Sequence, residues 1–270
     1  MKKQVEFLPR PGRIHYKACF LRYLRQTFTN PWTAVPLFLE APFMLLIVFF
    51  VYEDGTYLEP WMHHTSACAT GFLLALASGL MALLGSYREI CKEREILTRE
   101  VFGGLNLISY LGAKISVLTI TGFVQTLILV LGSLVFIDYN FESAFADGLL
   151  VFIALFLTNC SMAAIGLLVS ALLKKSESAI LPVLVIIVMQ VVFSGSVIEF
   201  DAPINYFTFI TPVMYGTSVV GAAARVNSVV EIRDIFDYNI WASLAILLLF
   251  CVVCYVLTAV KLKYDYRTKD

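Results

Sequence analysis

Ser86–Lys114 reads SYREICKEREILTREVFGGLNLISYLGAK, and its first fifteen residues hold eight charges. Four are basic (Arg88, Lys92, Arg94, Arg99) and four acidic (Glu89, Glu93, Glu95, Glu100), so the stretch is neutral overall. Each charge at the centre of a bilayer costs roughly 3 kcal/mol on an insertion scale. Apolar runs flank the stretch on both sides, so it predicts a short polar helix at one membrane face between two spanning helices. Ile90, Leu97 and Val101 lend it a weak apolar stripe, and Glu95 and Arg99 stand at the favourable i,i+4 spacing. An amphipathic helix on a short connector points to docking with a partner, against the plainer reading of a solvated hairpin.

Working outward, the apolar residues come in blocks of about 20, the length a helix needs to cross a hydrocarbon core of about 30 Å. The whole chain is 59% hydrophobic and 15% charged, with a mean hydropathy of +0.81. These values exclude a soluble globular domain and predict an all-α integral membrane protein of six spans, at about 32–52, 65–86, 109–137, 147–173, 179–198 and 240–260. Residues 1–31 form a basic N-terminal segment. Within it Ile14, Ala18, Leu21, Leu24 and Phe28 recur at helical spacing, as in a helix lying on the membrane surface. Asn30-Pro31 ends that helix. With both termini placed in the cytoplasm, eighteen of the twenty Lys and Arg residues fall inside, leaving Arg225 and Arg233 outside. Residues 204–224 carry no charge but are interrupted by Pro212, Gly216 and Gly221. They are read as a re-entrant segment dipping in from the outer side.

Catalytic chemistry is hard to find. There is no G-x-x-x-x-G-K-[ST] phosphate loop. His15, His63 and His64 lie outside the spans, and Asp234-x-x-Asp237 lacks a second acidic cluster. No metal site is expected. The six cysteines, including Cys251-x-x-Cys254, read as small packing residues. Polar groups within the spans include Glu40, Gln125, Asn159 and Gln190. Interhelical hydrogen bonding or a lining role in a substrate path fits Gln125 and Asn159. Glu40 is suited either to pair with a base of the charged stretch or to touch cargo. Lys114, at the inner end of the third span, is expected to snorkel to the cytoplasm.

The segment Arg88-Glu89-Ile90, Lys92-Glu93-Arg94, Arg99-Glu100, Gly104-Leu105, Tyr110 and Ala113-Lys114 resembles the connector between spans 2 and 3 of type-2 ABC export permeases, especially the G subfamily. Arg22–Pro31 (RYLRQTFTNP) is similar to that family's surface helix. Phe193-Ser194-Gly195 to Pro203, with Tyr206 and Ile210–Tyr215, resembles its fifth span and outer re-entrant segment.

The resemblance implies a dimer of membrane domains above two ATPase domains, with ATP and Mg2+ bound by the ATPase. Arg88, Lys92, Glu93, Arg94, Arg99 and Glu100 would belong to the coupling helix. Spans 2 and 5 would line a central substrate path, putting forward Phe72, Leu76, Gln190 and Phe193; the apolar, aromatic-rich fifth span and the lack of charge within the spans beyond Glu40 suggest a hydrophobic or amphipathic substrate. Family members of the G branch often carry the ATPase N-terminal to the permease. Only 31 residues precede the first span here, so the expectation is either an ATPase on a separate polypeptide or a chain that is an excised domain of a longer protein. The resulting expectation is a multi-pass cell-membrane exporter subunit, bound to lipids, with no nucleic-acid partner. An ATP-independent channel or membrane scaffold is the alternative.

Overall fold

A computed structural model describes residues 12–60, 62–175, 177–196, 204–228 and 234–267. The predicted end of the fifth span at 198, Pro203, Arg233 and residues 1–11 and 268–270 lie outside them. The described residues form nine α-helices and short 3-10 turns, and no strand occurs among them.

Helix α1 (Gly12–Thr29) meets α2 (Pro31–Val51) at a tight elbow. Asn30 is extended there, its side chain accepts from the Trp32 amide, and Pro31 takes the first helical position, where a missing N–H costs nothing. The elbow falls at the predicted break. The buried face of α1 differs from the predicted stripe: Ile14, Ala18 and Leu21 are exposed, whereas Cys19 and Tyr23 are buried. α1 rests along the start of α5 (Leu107–Phe136). The Tyr16 hydroxyl lies 2.8 Å from Ser116 Oγ, and Ser109 Oγ donates to the Gly12 carbonyl at 2.9 Å.

α3 (His64–Ser86) is the central helix and packs most extensively on α6 (Ala144–Leu172). Small residues bring them together. Asn159 Nδ2 donates to the Ser78 carbonyl at 2.9 Å, Ser78 Oγ to the Leu155 carbonyl at 2.8 Å, and Gly166 faces Ser86. α9 (Ile240–Arg267) covers the other side of α6, where Ser161 donates to the Leu247 carbonyl and faces Cys251. α2 is peripheral, buried only at Ala41 and Val48. Among the described residues, five helices, α2, α3, α5, α6 and α9, are long and apolar enough to cross a membrane.

The predicted fifth span is cut short. α7 covers only Ile180–Val192, 13 residues, or roughly 20 Å at 1.5 Å per residue. Gly195, at φ +72°, turns the chain next to Phe193, and Thr211 Oγ1 donates to the Phe193 carbonyl at 3.1 Å. The chain thus stops being helical where Ser194-Gly195-Ser196 supplies the left-handed turn. After the 3-10 turn Ile204–Ile210 comes α8 (Pro212–Ala223). α8 is almost wholly buried against α3, α6 and α9. Its Val213 lies over Gly79 and its Val220 over Gly71, so it runs from mid-length on α3 back toward the start of that helix.

Candidate functional site

The charged stretch folds as a 3-10 turn, Cys91–Glu93, running into α4 (Arg94–Phe102). α4 ends because Gly104 is left-handed, at φ +88°. The Leu105 amide then reaches the Glu100 carbonyl at 3.0 Å and the Gly104 amide the Val101 carbonyl at 2.9 Å, the Schellman arrangement that satisfies orphan carbonyls. Asn106 accepts from Ile108 and Ser109 and starts α5. A polar helix is therefore held between α3 and α5, as predicted, with Ile90 and Leu97 buried beneath it and Val101 half-buried.

Lys114 sits at the centre of what holds it. Snorkelling is not what this lysine does: it is 2% exposed. Its Nζ donates to Glu89 Oε2 at 2.7 Å and to the Glu89 carbonyl at 2.9 Å, lies 3.0 Å from Glu93 Oε2, and sits 4.1 Å above the Tyr23 ring. The Tyr23 hydroxyl donates to Glu93 at 2.9 Å and Tyr110 reaches the same oxygen at 3.4 Å. Lys92 pairs with Glu89, and Arg22 of α1 with Glu100 of α4. Three cations thus meet three carboxylates in one cluster that ties α1, α4 and α5 together. Buried charges persist only when paired and hydrogen-bonded in this way. Physical reason reverses the expectation: four nearby acceptors outweigh the hydration that snorkelling would have kept.

The electrostatics follow the geometry. Burial works to raise the Glu89 carboxyl, but Lys114 and then Lys92 outweigh it and hold its pKa below the ordinary value of 4.5. Burial, and then the Glu93 carboxylate, push the Tyr23 phenol well above its usual range, so it stays a neutral donor.

A second anchor joins α4 to the far helices. Arg94 donates to the Leu173 carbonyl at 2.7 Å, just past the end of α6, and pairs with Asp265 of α9, which also accepts from Lys261 at 2.7 Å. Ser170 of α6 accepts from the Ile90 and Cys91 amides at 2.9 and 3.0 Å. The six predicted coupling residues therefore divide. Glu93, Arg94 and Glu100 turn inward onto other helices. Arg88, its guanidinium 4.8 Å from the Tyr87 ring, Lys92 and Arg99 are exposed. Glu95 and Arg99 are both exposed and make no ion pair with each other among the described residues. Ile96 and Phe102 are 54% and 69% exposed, giving α4 an outward apolar edge.

The membrane-depth residues take other places. Gln125 Nε2 donates to Glu40 Oε2 at 2.9 Å and to the Leu37 carbonyl at 3.4 Å. Glu40 accordingly pairs with α5 and not with the charged stretch, because Gln125 is the donor within reach at that depth. Asn159 binds α3 as described. Gln190 accepts from the Val213 amide at 3.2 Å and so caps the start of α8 from α7. Phe72 and Leu76 are buried in the helix core, and the Phe193 ring lies 5.5 Å from Phe207. Residue-by-residue reading passed over Tyr23, Asp265 and the grip of Glu89 on Lys114. The available signal was Lys114 itself, a lone charge two turns inside an apolar helix, with Tyr110 one turn behind it.

Comparison with known proteins agrees with this architecture. Residues 14–224 match the model of the family described as ABC-2 type transporter. Over 156 residues, 56% of this chain, the sequence is 33% identical to an ABC transporter ATP-binding/permease protein of Mycobacterium tuberculosis. The match covers 18% of that relative's length. A family model spanning most of a chain of apolar helices with a clamped polar connector leads to one conclusion: the chain belongs to the ABC-2 type transporter family, as a multi-pass membrane domain of the permease kind.

Proposed function

We propose that the chain is the permease subunit of an ATP-driven exporter in the cell membrane, coupled through residues 86–105 to an ATPase on a separate polypeptide. The observation that carries this reading is the two-sided character of α4. Its inner side is clamped to α1, α5, α6 and α9 through Glu93, Arg94 and Glu100, while Glu95, Ile96, Arg99 and Phe102 face outward. A rod gripped by the spans on one side and open on the other can transmit a partner's movement to them. The 270 residues hold no phosphate loop, which fits ATP and Mg2+ being bound by that partner. The Mycobacterium relative combines both names, ATP-binding and permease.

A second copy, or a homologue, completes the pathway. Leu181, Leu184, Val185 and Val188 form an exposed apolar stripe on α7, a helix with little packing of its own. That stripe suits a two-fold contact, which would bring α3 and α7 of both copies around a path for a hydrophobic or amphipathic substrate. Phe72, Leu76, Gln190 and Phe193 are its candidate residues. The Lys and Arg distribution supports cytoplasmic termini, and the course of α8 along α3 supports the re-entrant reading of 204–224. Co-expression with ATPases carrying a phosphate loop tests the coupling. Ile96→Asp with Phe102→Asp should abolish co-purification of the ATPase, whereas Glu93→Ala with Arg94→Ala should keep it bound and stop transport. Transport unchanged in the second variant, or activity with no ATPase present, sinks the proposal.

A further inference from the structure

A cavity of about 240 Å³ lies between α1, α2, α3, α5 and α6. At its cytoplasmic end Lys114, Lys92 and Glu89 line the wall, but these charges already satisfy one another in the cluster described above. The opposite end is different. Glu40, Gln125 and Asn159 line the wall there, some 12 Å along α2 from Trp32 for Glu40. Gln125 engages one Glu40 oxygen, and Asn159 spends its NH2 group on the Ser78 carbonyl. That leaves Glu40 Oε1, Gln125 Oε1 and Asn159 Oδ1 as acceptors with no hydrogen-bond donor among the described residues. Glu40 forms no ion pair there either. Gly122, one turn before Gln125 on α5, leaves the room that Asn159 occupies: a Cβ at Gly122 would collide with its Oδ1.

Three acceptor oxygens with one negative charge call for a donor-rich cation. A primary ammonium brings three N–H donors and no acceptor. Between the two ends the wall is largely apolar, with Pro36, Leu37, Met81, Val117 and Leu118, and so accepts a hydrocarbon or aromatic body beside the head. We propose that this cavity is a binding site for a hydrophobic primary amine of phenylalkylamine size, with its ammonium held by Glu40, Gln125 and Asn159. The site is separate from the α3–α7 pathway residues and belongs to one chain, so it does not rest on the exporter reading.

The test uses the full chain in nanodiscs of phosphatidylcholine, which carry no competing primary amine. Binding of 4-phenylbutylamine, 4-phenylbutanol and 4-phenylbutyrate is measured by equilibrium dialysis against empty nanodiscs. The amine should bind at least tenfold more tightly than the alcohol, and the acid least. Glu40→Gln should erase the preference for the amine and leave the alcohol unchanged. Gly85 lines the cavity and a Cβ there meets nothing within 4 Å, so Gly85→Leu should fill the space and weaken amine and alcohol together. This variant decides the matter even if Glu40→Gln fails to fold. Adding phosphatidylethanolamine distinguishes the source of the ammonium: displacement of the probe assigns the site to the lipid amine, no displacement to a free amine. Equal binding of amine and alcohol by the unaltered chain, or a preference that survives Glu40→Gln, overturns the proposal.

Discussion

Lys114 is held by two carboxylates, a backbone carbonyl and the face of Tyr23. Removing one partner of a buried ion pair typically costs 3–5 kcal/mol because the other charge stays behind. Lys114→Met should therefore destabilise the protein by roughly 3 kcal/mol in a denaturant titration in detergent. Lys114→Met with Glu93→Gln should cost less than the sum of the two single changes, since they share one network. Arg22–Glu100, more exposed, should contribute about 0–1 kcal/mol. Acid gives a second check. Glu89 sits below its ordinary 4.5 in the folded protein, so its contribution is full above that value. It is lost as the pH falls through the folded pKa. Thermal unfolding measured from pH 7 down to pH 3 should drop more steeply in the unaltered protein than in Glu89→Gln; parallel curves would refute the linkage.

At the scale of elements, helix contacts depend on residues chosen for size. A Cβ at Gly166 would strike Ser86 Oγ and approach the Leu83 carbonyl at 3.1 Å. Gly166→Leu should thus pry α3 from α6 and cost about 1–3 kcal/mol or more, read as a lower unfolding temperature. The α4 stop depends on conformation instead. Gly104→Val should disfavour the left-handed turn by about 1–2 kcal/mol and reduce α4 protection in hydrogen exchange, while leaving the long helices unchanged. The long helices were legible because each needs only an unbroken apolar run: the observed ends of α2, α3, α5 and α6 fall within about three residues of those predicted, whereas α9 continues past the predicted 260 to Arg267. α7 was not, since Val191-Val192-Phe193 continues an apolar pattern straight into a turn that only Gly195 and the neighbouring Thr211 define. The protein-facing side of α1 was missed for a related reason. Its apolar stripe is a property of α1 alone, whereas the burial of Cys19 and Tyr23 depends on what α5 places beside them.

For the molecule as a whole, the exposed stripe on α7 makes an assembly prediction. Val188→Cys, in membranes treated with a mild oxidant, should give a disulfide-linked dimer. Val135→Cys, 85% exposed on α5, should stay monomeric. Cross-linking of both alike would count against a specific two-fold contact at α7. The sequence by itself determined the solvent: long apolar blocks cannot be left in water, and clustered charges cannot be left in hydrocarbon, so membrane helices and a polar connector follow from transfer free energy alone. It also marked Asn30-Pro31 as a helix boundary, because capping is local chemistry. The tertiary structure decided which charges face inward. Glu89 and Arg88 are neighbours in sequence, yet one binds Lys114 and the other lies over Tyr87. That choice depends on partners 25 residues away on α5, and also on residues of α6 and α9. No local pattern encodes distances of that kind, and so the clamp on α4 and the open acceptors beside Glu40 became visible only once the helices were packed.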